Sequence, residues 1–280
     1  MIIVTGATGR IGRALVDRLD RHAVARRAVV RQPRHVAELG GDVTLADFAD
    51  PRSIRAALVP GARLLLNGVP GPDFVHQQRS IIDLAAEAGV AQLVKISVRG
   101  AAPGALLAQG QHGEIDDHLR ASGLPYLILQ SVGFMQNLLP EVSFTDGEGR
   151  FYGSYGSGPV GYLDARDIAD VAAALLTRPV EANATLTLTG PEAYTHQEVA
   201  ETMTAVLGRP VHYVDLPVAA MAQRLRAAGL PSAFADDLAR LMRDVGDGRW
   251  ADTTDTVQAI TGRPPRTLAT FIADHATSWT

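Results

Sequence analysis

The 280-residue chain contains no cysteine, and lysine occurs only once, at Lys95, so nearly all of its 26 basic residues are arginine. The absence of cysteine excludes disulfides, thiolate metal sites and a cysteine nucleophile. The eight histidines show no H-E-x-x-H or other close ligand spacing, so no metal site is predicted. A G-x-S-x-G nucleophile elbow is also missing, which argues against a serine hydrolase.

Charge and hydropathy exclude two further kinds of partner. The formal net charge is −4, and the arginines are scattered among acidic residues, so nucleic-acid binding is not expected. The first apolar run ends at Val4, and nowhere do about 18 apolar residues follow one another, so neither an export signal nor a membrane span is predicted. A cytoplasmic location is the expectation that fits these absences.

The beginning of the chain carries the most informative motif. A short β-branched run, Ile2 to Thr5, is followed by Gly6, Gly9 and Gly12 and then by apolar residues at helical spacing. This order predicts a strand, a glycine turn and a helix whose N-terminus faces a pyrophosphate, and hence a dinucleotide site. The alternative is a tight turn whose glycines are purely steric. The candidate contacts are Gly6, Thr8, Gly9, Arg10, Ile11 and Gly12.

Short apolar strands alternate with helices up to about residue 130, which favours a Rossmann-type doubly wound parallel sheet of the α/β class. We predict an NAD(P)-binding domain over residues 1–133 and a smaller α/β substrate or lid region over residues 134–280, packed on the same sheet. Within these, a helix is predicted over 112–121 and a single amphipathic helix over 219–243. Ligands of such folds lie beyond the carboxyl ends of the strands.

Residues at those strand ends are the further cofactor candidates. The second strand ends in Arg31, and an arginine there would neutralise the 2′-phosphate of NADP, so NADP(H) is preferred and NAD(H) remains possible. The alternative is that Arg31 is one of many solvated arginines. Asp47 and Phe48 follow the third strand and are placed to border the adenine, although an aspartate there equally caps the next turn. Asn67 and Gly68 follow the fourth strand, where Asn67 equally satisfies a turn.

Several short motifs occur in a fixed order along nearly the full length. They are Thr5 to Gly12, Val30-Arg31 with Pro33, Gly41 to Asp47, Pro70 to Pro72, His112 to Glu114, Ala121 to Tyr126, Phe134 to Asn137, Asp167 to Val171 and Thr261 to Pro265. Together they resemble the NmrA-like atypical branch of the short-chain dehydrogenase/reductase superfamily. The resemblance implies NAD(P)H binding. Several such relatives reduce quinones, whereas others sense the cofactor and regulate partners.

The resemblance also implies site residues, with one departure. Ordinary members of the superfamily carry Tyr-x-x-x-Lys, but here the lysine position holds His112 and the tyrosine position Ala108. His112 is therefore the catalytic candidate, the alternative being a histidine that caps the helix start or faces solvent. Ser97, at the end of the fifth strand, falls near the superfamily's catalytic serine and is counted among the cofactor contacts. The nicotinamide and substrate contacts implied are Phe134 and Asn137.

The absence of the Tyr-x-x-x-Lys acid limits the substrates that the protein could reduce. A quinone that accepts hydride becomes a delocalised phenolate, which water can protonate. A simple ketone that accepts hydride becomes an alkoxide, which needs an acid to protonate it. We therefore predict an NADPH-dependent oxidoreductase that acts on a quinone or a related conjugated carbonyl. The alternatives are a non-catalytic NADP(H)-sensing regulator and a non-redox biosynthetic enzyme on the same fold. The expected partner is a small-molecule substrate, and a homodimer is the assembly considered.

Overall fold

The computed structural model describes residues 1–179 and 182–279, which form two compact units. The first unit comprises Met1–Ser131, Ala165–Thr187 and Ala259–Gly262. The second comprises Val132–Asp164, Leu188–Gln258 and Arg263–Thr280. In the described part of the chain, no helix has the length and apolar character needed to cross a bilayer.

The first unit is built on a seven-stranded sheet with the strand order β3-β2-β1-β4-β5-β6-β9. Strands β1 to β6 run parallel, and β1 lies between β2 and β4. This is the predicted Rossmann-type α/β class, and it follows from strands whose apolar residues are buried on both faces. The strands are β1 (Ile2–Val4), β2 (Arg26–Val30), β3 (Val43–Leu45), β4 (Arg63–Leu66), β5 (Gln92–Val98), β6 (Tyr126–Ser131) and β9 (Ala184–Leu188).

Helices cover this sheet. The first, α1, buries one apolar stripe that includes Leu15, Val16 and Leu19, while Arg18 reaches Asp170 at 3.3 Å. The helices of the unit are α1 (Arg10–Arg21), α2 (Arg34–Leu39), α3 (Pro51–Ala57), α4 (Phe74–Glu87), α5 (Leu107–Ala121) and α7 (Ala165–Leu176), and α11 (Thr256–Thr261) contributes its last residues. Residues 165–187 lie beyond position 134 yet belong to this unit, because β9 joins the sheet and α7 packs on α1. The division of cofactor and substrate binding at residue 134 stays a prediction.

The second unit contains a three-stranded sheet with the order β10-β8-β7 and its own apolar core. Phe151 on β8 and Phe271 on the last helix are fully buried in that core. Its strands are β7 (Ser143–Thr145), β8 (Glu148–Gly153) and β10 (Val211–Asp215). Its helices are α6 (Leu138–Glu141), α8 (His196–Leu207), α9 (Val218–Ala227), α10 (Ser232–Asp244) and α12 (Leu268–Asp274), with helical turns at Met135–Asn137, Val245–Arg249 and Ala276–Trp279.

Two helix predictions were wrong. The single helix expected over 219–243 is two helices, α9 and α10, because Gly229 adopts a left-handed φ of +94° and Pro231 follows it. The helix expected to begin at His112 begins at Leu107, so that His112 lies inside α5 rather than at its start. Apolar periodicity identified both regions as helical but not where the helices end.

Candidate functional site

The glycine turn between β1 and α1 has a geometry that other residues would not tolerate. Gly6 has a φ of +62°, and the N–H of Gly9 donates to the Gly6 carbonyl at 3.0 Å. A Cβ at Gly12 would lie only 2.1 Å from the Gly6 carbonyl oxygen. The backbone of the first turn of α1 therefore lies directly against the end of β1.

This turn leaves a cradle that fits a diphosphate. Gly9 is the N-cap of α1, and the first N–H groups of a helix have no partner within the helix. The first turn carries no acidic residue that would repel an anion. Thr8 and Arg10 are exposed beside it, whereas the side chain of Ile11 is buried, so that Ile11 offers only its backbone N–H.

The end of β4 is tied to the end of β1 by Thr5, which the sequence reasoning did not single out. The buried Thr5 hydroxyl donates to the Leu65 carbonyl at 2.9 Å and accepts from the N–H of Asn67 at 2.9 Å. The Asn67 amide nitrogen lies 3.0 Å from the position that a Cβ at Gly6 would take. The structure thus brings Asn67 next to the glycine turn, as expected from adjacent parallel strands.

Gly68 and Phe48 also come together. A Cβ on Gly68 would lie 2.8 Å from Gln78 Nε2 and 3.7 Å from the ring of Phe48, which is half-buried. A residue other than glycine at position 68 would require the Gln78 side chain to shift. Phe48 therefore contributes an aromatic face beside Gly68, and the adenine contact predicted for it stays a prediction.

Asp47 and Arg31 differ in how their side chains are engaged. Asp47 is exposed, and its carboxylate accepts from the N–H of Ala49 at 3.0 Å, so it makes the local turn contact given as the alternative. Arg31 and Arg10 are exposed, and within residues 1–179 and 182–279 neither guanidinium has an ion pair. The cofactor roles of all three residues stay predictions.

A buried polar cluster lies where α5 packs on β5. Lys95 Nζ is 2.8 Å from Asp116 Oδ1 and 2.9 Å from His112 Nδ1, and Ser97 Oγ donates to Asp116 Oδ2 at 2.7 Å. Lys95, Ser97 and Asp116 have no solvent exposure, and His112 is 6% exposed. The Ser97 hydroxyl is thus oriented to Asp116. Its predicted cofactor contact stays a prediction, and its side chain supports the cluster.

Sequence reasoning missed two members of this buried polar cluster. Lys95 interrupts an apolar strand two residues before Ser97, so both side chains point to the same face of β5. Asp116 follows His112 by one helical turn on α5. The single lysine of the chain, placed in a core strand, was the available signal.

The protonation of His112 follows from its surroundings. Burial, and secondly the nearby Lys95, lower the pKa of His112 to about 3. Burial also lowers the pKa of Lys95, an effect that Asp116 opposes. His112 is therefore neutral near pH 7 and acts as a hydrogen-bond donor or acceptor rather than as an imidazolium acid. The alternative given for His112, a histidine that caps the helix start or faces solvent, does not hold, because the residue lies inside α5 and is 6% exposed.

The two substrate candidates lie in the second unit. Phe134 forms a parallel bridge with Leu163 and is half-buried, outside the core of that unit. Asn137 is exposed, and its N–H donates to the Phe134 carbonyl at 3.0 Å. Their substrate contacts stay predictions.

The chain is similar to known proteins along its length. Residues 1–262 match the NmrA-like family. The chain belongs to the NmrA-like family. This NmrA-like protein is 35% identical to an NAD(P)H azoreductase of Xenophilus azovorans over 100% of the chain and 99% of the relative. It is 29% identical to quinone oxidoreductase 2 of Escherichia coli, over 98% of both chains.

The fold of this NmrA-like protein matches solved relatives over the same extent. The crystal structure of the Escherichia coli NADPH-dependent quinone oxidoreductase QOR2 complexed with NADPH superimposes with a TM-score of 0.85 at 28% identity. The match covers 98% of this chain and 99% of the relative. The correspondence extends through both compact units.

Proposed function

We propose that this NmrA-like protein is an NADPH-dependent oxidoreductase that delivers hydride to a quinone or another conjugated acceptor. The observation that carries the proposal is the glycine cradle at the N-terminus of α1, whose open N–H groups fit a diphosphate. The relatives named NAD(P)H azoreductase and quinone oxidoreductase 2 support the same reaction class. A homodimer and a cytoplasmic location stay predictions.

In this proposal each part of the first unit has a task. The N–H groups at the start of α1 bind the diphosphate, and Arg31 with Arg10 binds the 2′-phosphate. Phe48 stacks along the adenine, and Asn67 with Gly68 borders the dinucleotide at the end of β4. The guanidiniums of Arg31 and Arg10 are exposed and form no ion pair with the residues that the structure describes, so they are suited to an anionic group of a ligand.

The proposed reaction needs little acid catalysis from the protein. When bound, the reduced nicotinamide supplies the hydride. His112, neutral because of its low pKa, donates a hydrogen bond to the ribose or to the acceptor oxygen, and water protonates the delocalised anion that forms. The protein contributes orientation and hydrogen bonding, which suits acceptors whose reduced form is a stable anion.

The direct test mixes purified protein with NADPH and a panel of quinones, with an azo dye as a further acceptor, and follows the reduced-nicotinamide absorbance. We expect NADPH to be consumed in proportion to the acceptor. Tight NADPH binding without turnover of any acceptor would favour the cofactor-sensing alternative. No binding at all would overturn both.

Charge reversal at Arg31 tests the cofactor preference. Arg31→Glu is expected to raise the Kd for NADPH at least about tenfold, since charge-assisted hydrogen bonds contribute about 1.5–3 kcal/mol. The Kd for NADH, which has no 2′-phosphate, should change little. Isothermal titration with both nucleotides measures the two values.

The matched control is Arg21→Glu, which makes the same charge change at an exposed arginine at the far end of α1. It should leave both affinities near those of the parent protein. Equal weakening of NADPH and NADH by Arg31→Glu would refute the assignment of Arg31 to the 2′-phosphate.

A further inference from the structure

The ammonium of Lys95 is surrounded by acceptors. Its Nζ lies 2.8 Å from Asp116 Oδ1, 2.9 Å from His112 Nδ1 and 3.3 Å from the carbonyl oxygen of Ile96. The contacts with His112 and Ile96 have hydrogen-bond geometry, and the contact with Asp116 is an ion pair, which only the charged ammonium can form.

The other members of the buried polar cluster favour the same charge state. Ser97 donates its hydroxyl proton to Asp116 Oδ2 at 2.7 Å, and the other carboxylate oxygen, Oδ1, forms the ion pair with Lys95. An ionised carboxylate with no solvent exposure needs a compensating cation, and Lys95 is the cation in contact with it. Lys95 therefore donates to His112, and His112 Nδ1 accepts.

A neutral imidazole that accepts at Nδ1 must carry its proton on Nε2. We propose that Lys95 and Asp116 are positioning residues that lock His112 in the Nε2–H tautomer, so that it presents a constant hydrogen-bond donor to the reduction site. The use of that donor rests on the proposed function, whereas the tautomer itself does not.

The groups facing His112 come from three elements. Strand β5 contributes Lys95, α5 contributes Asp116, and α4 contributes the uncharged ring of Phe74, whose centroid lies 5.1 Å from that of the imidazole. Phe74 meets the imidazole edge to face and leaves the lysine as its polar partner. The lock should therefore persist across the range in which an ordinary histidine titrates.

The single lysine allows a sharp experiment on the whole chain without cofactor. Protein labelled with ¹⁵N-lysine should give one side-chain resonance, that of a slowly exchanging ammonium. Protein labelled with ¹⁵N-histidine, with His112 assigned by loss of its signals in His112→Gln, should show protonated Nε2 and unprotonated Nδ1 from about pH 5.5 to pH 8. A neutral amine at Lys95, or a titrating or Nδ1-protonated His112, would overturn the proposal.

The double variant Lys95→Met/Asp116→Asn removes both charges together and should give a mixture of His112 tautomers. His196 is the internal control, because it is also buried but its Nε2 contacts the Tyr162 hydroxyl at 2.7 Å. Its signals should stay unchanged. An unaltered Nε2–H pattern at His112 in the double variant would show that Lys95 does not set the tautomer; if that variant does not fold, the two spectra of the parent protein still decide.

The kinetic readout separates this inference from the proposed function. The double variant is expected to lose about tenfold in kcat with a smaller change in the Kd for NADPH, corresponding to one misplaced donor. A locked tautomer in a protein that turns over no acceptor would leave the positioning pair intact and the oxidoreductase proposal refuted. If the parent protein reduced an acceptor but showed a mixture of His112 tautomers, the oxidoreductase proposal would stand and the positioning role of Lys95 and Asp116 would be refuted.

Discussion

Replacing Gly12 with alanine is expected to abolish NADPH binding and to lower the free energy of unfolding by about 2 kcal/mol, within the range of overpacking substitutions. The added Cβ would lie 2.1 Å from the carbonyl oxygen of Gly6 and 2.8 Å from Cα of Ala7. Both contacts are with backbone, so the turn itself must open. Alanine favours a helix over glycine by about 1 kcal/mol, and the clash outweighs that gain.

The effect on binding exceeds the effect on stability, because opening the turn moves the N–H groups that would hold the diphosphate. Denaturant unfolding and titration with NADPH measure the two separately. Gly71→Ala is the matched control, since a Cβ there meets nothing within 4 Å. If Gly12→Ala bound NADPH as well as Gly71→Ala does, the cradle would not be the diphosphate site.

Replacing Lys95 with methionine is expected to cost about 3–5 kcal/mol of stability. Methionine fills most of the volume of the lysine stem, so the loss is not chiefly one of packing. It arises because Asp116, with no solvent exposure, keeps its Ser97 contact but loses its only partner of opposite charge in the buried polar cluster. Urea denaturation followed by circular dichroism measures the change.

The double variant Lys95→Met/Asp116→Asn distinguishes charge from packing. With both charges gone, the uncompensated carboxylate is gone as well, and most of the lost stability should return. Were the double variant as unstable as Lys95→Met alone, the cost would lie in packing. A loss below about 1 kcal/mol in Lys95→Met would mean that Asp116 is not a buried anion in the folded protein.

The sequence predicted the repeating strands and helices of the first unit and the residues at the strand ends. In a parallel sheet the carboxyl ends of neighbouring strands lie at the same edge. Pairing of β1 with β4 therefore places Asn67 next to Gly6. The sequence predicted helix boundaries less well, as the start of α5 and the division between α9 and α10 show. Apolar spacing continues across the residues between α9 and α10, so it does not show where one helix ends.

The buried polar cluster was out of reach of the sequence for a different reason. Lys95 and Asp116 meet only because α5 packs over one particular face of β5, and neither residue belongs to a motif. The same packing moved His112 from an expected helix start into the protein interior and lowered its pKa to about 3. Desolvation depends on the atoms packed around a group, and the spacing of residues along the sequence does not show which atoms these are.

The order of residues alone therefore determined the family, the sheet and the glycine cradle, since these depend on local backbone freedom and on periodicity along the chain. Tertiary structure alone decided which side chains of the first unit are charged, neutral or turned inward. His112, the catalytic candidate, is held neutral by burial and by Lys95, and the Ser97 hydroxyl donates to the Asp116 carboxylate. Protonation is set by burial and by neighbours distant in sequence, and folding brings those together.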